Sequence, residues 1–464
     1  IFLAVYTNCV FSQNSQANWI NYNQQYFKIQ LAQDGLHRIP YSSLLQAGIP
    51  VDNIDPRWIQ IFFQGEEQYI YIHGEGTSGI FDPNGYIEFY GQRNKSELDL
   101  EFYDNPNNCV NPDYSMYSDT SAYFLTWNFS TNNRRFTNVS DNNFEDYSAY
   151  AQDYCYKNIR HNYTSRFYWG STQNVFSKGE GWFDNAVINE ETPITKSINI
   201  SNFYSGNANT YFEIAVAGVP ASAVTSLVPH HLKVEFLNET RINETYTGYN
   251  FIRKNIVLSS SRLANNISFK FTSNDATQPD IADKNAVSYI NIKYPHTWDF
   301  ENQNYFEFYL PKNNSSEKDY LEITNFNTSS SVILYDITNK QRISPVNNGG
   351  ILKTLVNNTN SERFLVLTNS DGVKSVNKIS KIGNNNKFID YETQYQNANY
   401  IIITHSSLWA QAQQYANYRI STGYDVALID IDQLYNQYAW GVNKHPAAIR
   451  NFLKALFEIS EMER

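Results

Sequence analysis

Nucleophilic chemistry needs a thiol or hydroxyl beside a base, and this sequence places its thiols narrowly. Cys9, Cys109 and Cys155 are its only cysteines, and none follows residue 155 in a chain of 464. A reactive thiolate wants a histidine in hydrogen-bond reach and a pKa lowered by a helix N-terminus or a basic neighbour. Cys109 follows Asn105-Pro106-Asn107-Asn108 and Cys155 stands between Tyr154 and Tyr156, so neither has such a neighbour in sequence. Each reads as a structural thiol, and a Cys109–Cys155 disulfide is open in an oxidising compartment. Three cysteines exclude a disulfide framework and a four-cysteine zinc site.

Among the histidines, His405 follows the apolar run Tyr400–Ile403, at the carboxyl end of a strand where α/β proteins build sites. Thr404-His405-Ser406-Ser407 is also what a helix N-cap requires, and His405 is read as a cap. His445 before Pro446 is a helix-entry residue. His230 and His231 sit side by side in a strand and point to opposite faces, so they cannot chelate one ion together. Asp82, Asn84 and Glu88, with Asp99 nearby, set hard oxygens around Gly85 and could hold Ca²⁺, although an ordinary turn at Asn84-Gly85 explains the same residues. Asp430 and Asp432 read as caps. The residues present therefore assign no catalytic, cofactor or metal site beyond that Ca²⁺ candidate.

The elements that must position these residues are mostly strands. Hydrophobic residues make up 41% and charged residues 17%, which is globular composition, and aromatics reach 16% with 36 Tyr and 29 Phe. The formal charge of −11 argues against a general nucleic-acid or anionic-membrane binder. The opening Ile1–Phe11 is apolar but too short to span a bilayer. It reads as the back half of a secretory signal peptide ending near Gln13, with Cys9 inside it. Phe27–Leu31 alternates with period two, Leu36–Ile39 follows the Asp34-Gly35 turn, and Tyr41–Gly48 is a short helical turn. Further strands are expected at Trp58–Phe63, Gln68–His73 and Tyr86–Tyr90. Between about 150 and 395, strand-like runs such as Tyr211–Ala217, Leu232–Phe236, Ile267–Phe271, Ala286–Tyr294, Tyr305–Leu310 and Arg363–Leu367 recur at sandwich spacing.

After Tyr400 the pattern changes to strand, helix, strand, helix. Tyr400–Ile403 and Val426–Ile429 are continuous apolar runs, expected as strands buried on both faces of a parallel sheet. The first helix is expected to bury Leu408, Ala412, Tyr415 and Ala416, and the second Ile449, Phe452, Leu453, Leu456 and Phe457. The predicted fold class is mostly β, with sandwich-like N-terminal domains followed by the start of an α/β parallel-sheet domain.

Asn399–Leu408, Tyr415–Val426, Ile431–Tyr435, Gly441 and Ala448–Leu453 resemble the opening of a gingipain-type (C25) cysteine peptidase domain. Phe27–Ile29, Asp34–Ile39, Gly85–Gly91 and Ser118–Leu125 resemble the N-terminal region of PorU-like sortases of the type IX secretion system. The resemblance implies a caspase-like domain in an exported protein of Bacteroidetes-type bacteria, at the outer membrane or outside the cell. It implies a sortase that removes C-terminal sorting domains from secreted cargo and passes the acyl group to a lipopolysaccharide amine. Its partners would be that cargo and outer-membrane components of the secretion system. The family's Cys and His are expected beyond Arg464, so the chain as given is expected to be inactive. The implied organisation is a signal remnant at 1–13, a β domain at 20–140, a sandwich-like region at 150–395 and the start of the peptidase domain at 398–464. A secreted adhesin or carbohydrate-binding sandwich, and a secreted gingipain-like protease, stand as alternatives.

Overall fold

A computed structural model of the chain describes residues 16–462, except 77–78, 169–175, 187, 189–191, 220–228, 249, 274–282, 314 and 384. The expected signal remnant and Cys9 lie outside the described residues. Two compact units divide the chain, one formed by residues up to 94 with 117–134 and 375 onward, the other by 95–116 with 135–374.

In the first unit, period-two alternation does the folding. Phe27, Ile29 and Leu31 turn to one side of the strand Phe27–Leu31, which pairs antiparallel with Ser121–Trp127 and with Ile379–Lys381. Ile59–Phe63 extends that sheet on the far side of Ser121–Trp127. A second antiparallel sheet joins Gly35–Pro40, Tyr86–Gly91 and Ile70–His73. Their facing side chains, among them Ile29, Ile39, Ile61, Ile87, Phe89 and Leu125, make one core. Burying an aliphatic side chain this fully is worth about 1.5–3 kcal/mol each.

Ser121–Trp127 is also buried on its other face, which a half-solvated antiparallel sheet would not require. Phe124 there meets Trp19 and Phe388 at ring separations of 5.2 and 5.6 Å. Gly441, at φ +80°, lies against Ala122 and Phe124 with no room for a Cβ. The outer face of the N-terminal sheet thus carries the C-terminal segment. That segment pairs Tyr400–Thr404 with Val426–Asp430 in parallel, linked by the helix Trp409–Ser421. The helices Ile431–Tyr438 and Ala447–Met462 follow.

Three expectations for this segment are corrected. The run Tyr400–Ile403 is half-exposed, not buried on both faces, and Ile401 is exposed. Of the stripe Leu408, Ala412, Tyr415 and Ala416, only Ala416 is buried, while Leu408 is 58% exposed. Two strands give a helix too little sheet to cover its apolar side. On the last helix, Phe452 and Leu456 are buried and Ile449, Leu453 and Phe457 are exposed.

The second unit is a double sandwich. A nine-stranded sheet runs in the order Phe251–Ser259, Asn209–Gly218, Asn285–His296, Cys155–Asn162, Tyr305–Leu310, Arg363–Asn369, Val332–Asp336, Gln341–Ile343 and Thr137–Val139. One four-stranded sheet, centred on Asn266–Ser273 and Pro229–Phe236, packs Leu232, Val234 and Phe269 against Phe212, Ile214 and Ile290 of the long sheet. Another, centred on Lys318–Phe326 and Ile351–Asn357, packs Leu321, Ile323 and Val356 against Phe308, Leu334 and Leu365. The mostly-β prediction holds.

Candidate functional site

The carboxyl edge of the two parallel strands is the place where an α/β sheet gathers chemistry. Thr404 and Asp430 pair at that edge. The His405 ring accepts the Ser407 N–H at 3.2 Å, capping the turn Ser406–Leu408. Its Nδ1 lies 2.9 Å from Ser407 Oγ, and its Nε2 lies 3.8 Å from Asp432 Oδ2. Asp430 caps the next helix by accepting the Asp432 N–H at 3.0 Å, and burial raises its carboxyl pKa. An imidazole, a hydroxyl and two carboxylates therefore meet at this edge, each tied to a helix start. Ser407 and its base sit two residues apart on one turn, with the imidazole fixed by the cap, so the arrangement has no separate elements to bring nucleophile and base together.

One cysteine does sit beside a histidine. Cys155 and His296 are cross-strand partners in the long sheet, and Cys155 Sγ lies 3.7 Å from the His296 carbonyl oxygen. Both are fully buried. Burial pushes the Cys155 thiol well up and lowers His296 to about 4. A protonated thiol beside a neutral imidazole, walled by Phe300 and Phe306, cannot attack a substrate it never meets. Cys109 is buried as well, burial raises its pKa, and both cysteines are free thiols rather than a disulfide.

His230 and His231 do face apart. His230 Nδ1 lies 2.6 Å from Asp283 Oδ1 inside the first sandwich, while His231 Nε2 meets Asn243 Oδ1 at 2.6 Å. Burial opposes the Asp283 charge, but His230, Ser273 and the His231 N–H hold its pKa below the usual carboxylate value. His445 accepts the Ala447 N–H at 3.1 Å, starting the last helix. Asp82 accepts the Asn84 N–H at 2.8 Å, making the turn, and the Glu88 carboxylate is taken by Arg38 at 2.6 Å. Asp99 accepts from Ser115 and from the Met116 N–H. Among the described residues no group of three or more His, Cys, Asp and Glu is placed to hold a metal ion.

A polar cavity of about 420 Å³ opens between residues 17–22 and the short helix Tyr391–Gln394, with Tyr22, Asp390 and Glu392 on its walls. It contains neither cysteine nor histidine. Sequence reasoning missed the Cys155–His296 and His230–Asp283 pairs, because partners far apart in the chain leave no local spacing to read.

Residues 393–462 match the model of peptidase family C25. This segment begins at the Tyr391–Gln394 helix and includes the whole parallel-strand edge. In structure the chain is similar to dimeric latent PorU from Porphyromonas gingivalis, with a TM-score of 0.60 and 13% identity, over 96% of this chain and 40% of that one. The chain thus spans 40% of the length of that protein. BuGH86wt in complex with neoagarooctaose aligns over 58% of this chain and 31% of its own at 10% identity, with a TM-score of 0.17. The ANX2 ectodomain from Arabidopsis thaliana aligns over 60% and 80% at 8% identity, with a TM-score of 0.19, and neither likeness carries weight. No curated protein matches the sequence. The resemblance to gingipain- and PorU-type C25 proteins holds in the C25 segment and in the fold.

Proposed function

We propose that this chain is the N-terminal part of an exported gingipain-like cysteine peptidase or transpeptidase, and that the full-length protein serves as a type IX secretion sortase. The observation that carries the reading is the C25 match over residues 393–462 within a chain whose PorU-like fold extends over nearly its whole length. In this reading the nucleophilic Cys and its His follow Arg464. The thiolate attacks the carbonyl at the cargo's sorting-domain boundary, and the His protonates the departing amine. The acyl group then passes to an amine of cell-surface lipopolysaccharide. The described residues supply the first two strands of the α/β sheet and the N-terminal sheet against which residues 431–445 rest. Neither described cysteine is accessible, which supports an inactive chain on its own. No helix among the described residues is long and apolar enough to cross a membrane.

The test compares the full-length protein with residues 1–464 on a cargo protein bearing a C-terminal sorting domain. Full-length protein is expected to release the domain and to lose that activity on treatment with iodoacetamide, while residues 1–464 release nothing. Thiol-inhibitable cleavage by residues 1–464 overturns the reading, as does full-length activity that survives alkylation.

A further inference from the structure

Lys28 lies on the Phe27–Leu31 strand, on the side opposite Phe27 and Ile29, and is only 7% exposed. Lysines at strand positions of this kind normally carry their ammonium into water along a flexible stem. This one ends against two amide oxygens, Asn436 Oδ1 at 2.8 Å and Asn443 Oδ1 at 3.0 Å. Among the described residues no carboxylate stands at ion-pair distance from it. The charged group on the facing helix is Asp432, which attracts the ammonium only through space. On the neighbouring strands its register partners are Ser380 and Phe124, neither of them charged, and the turn that carries Asn443 also holds Lys444, which is exposed, and His445, which is buried and accepts the Ala447 N–H.

The two acceptors belong to different parts of one region. Asn436 is on the helix Ile431–Tyr438, which starts at the carboxyl end of the second parallel strand. Asn443 is in the turn after it, where Trp440, Gly441 and Lys444 all adopt left-handed backbone at φ 47°, 80° and 61°. That turn presses Gly441 against Ala122 and Phe124. Lys28 is therefore a polar tie between the N-terminal sheet and residues 431–445, in a turn whose backbone costs free energy to hold. A neutral amine still has two N–H donors, enough for both oxygens, and carries no charge to desolvate.

We propose that Lys28 is a proton-operated clamp, whose neutral amine seats residues 431–445 firmly on the N-terminal sheet and whose ammonium loosens them. The inference does not depend on the peptidase reading. Burial lowers the Lys28 pKa to about 8, with Asp432 acting in the opposite direction. The sign follows from linkage. The opened segment returns Lys28 to water and its ordinary value, so the open form binds the proton more tightly, and acidification favours opening. With 10.5 for the open form and about 8 for the seated form, the opening equilibrium rises about tenfold between pH 9 and pH 7.

The measurement is amide hydrogen exchange of residues 431–445 in the full chain between pH 7 and 9, corrected for the intrinsic exchange rate. The wild type is expected to open about tenfold more at pH 7, while the amides of Phe212–Val216 in the double sandwich stay level. Lys28→Met is expected to remove the slope. A level wild type, or a slope that survives in Lys28→Met, overturns the proposal. Should Lys28→Met fail to fold, Asn443→Ala decides instead. It is expected to raise opening at both pH values with the slope kept, and unchanged opening or a lost slope overturns the clamp.

Discussion

The double sandwich and the C-terminal parallel segment solve the same burial problem with opposite results. In the sandwich, Ile214, Leu232, Val234 and Phe269 come from strands of two facing sheets and are all fully enclosed. In the parallel segment, Leu408 at the entry to the helix Trp409–Ser421, and Tyr418 and Ile420 on it, stand more than half exposed. Antiparallel hairpins bring their own partners at short range, whereas a parallel strand needs a crossover for each neighbour and encloses nothing until several are in place. What burial the parallel segment has lies on its second strand and the helices after it, where Ala427, Ile429, Leu434 and Phe452 are enclosed, and Gly441 and the Lys28 tie join that side to the N-terminal sheet.

The contrast can be broken first at its strongest point. Arg363 is fully buried in the second sandwich, ion-paired with Asp319 and donating to the Pro311 carbonyl at 2.8 Å. Arg363→Ala strands a buried carboxylate and is expected to cost about 3–5 kcal/mol, read from the urea midpoint of the sandwich transition. A loss below 1 kcal/mol would mean that water reaches Asp319 and that the sandwich is less closed than described.

A smaller effect is expected from acid. His296 is neutral in the fold because burial lowers it to about 4, while the unfolded chain titrates at its ordinary 6.5. The unfolded form therefore gains the proton first, and stability falls as pH drops from about 6.5 to 4, then levels. The full loss is on the order of 3 kcal/mol. Thermal melts across that window check it, and His296→Asn should flatten this part of the profile.

The smallest effect belongs to the open face. Leu408→Ser and Ile420→Ser are expected to change stability by less than about 0.5 kcal/mol, since neither side chain leaves an enclosed site. A calorimetric loss of 2 kcal/mol or more would show the face covered in solution and would sharpen the comparison into a question of what covers it.

Much of the fold was legible because its rules are local. Tyr305–Leu310 alternates Phe306, Phe308 and Leu310 inward, and the strand occupies those very residues. The turn at Asp82–Gly85 and the caps at His405 and Asp430 could likewise be read from neighbours two or three residues away. The apolar run Tyr400–Ile403 was misread for the complementary reason. Composition reports that a strand wants cover, and only the fold shows how much it receives. Lys28 stands between Phe27 and Ile29 in an alternating strand, and nothing near it announces Asn436 more than 400 residues on. The candidate site divided in the same way, with its capping residues readable and its long-range pairs not.

The strand Cys155–Asn162 belongs to both sandwiches at once. Cys155 lies in one core and Ile159, on the same side of the strand, packs against the other. Its neighbours in the sheet are both made later, and 141 residues separate Cys155 from its partner His296. A chain emerging from a ribosome therefore presents this strand long before either partner exists. Its edges must stay unclaimed through that interval, so the rate at which the chain is delivered, and whatever shields the waiting strand, governs the yield of the whole unit.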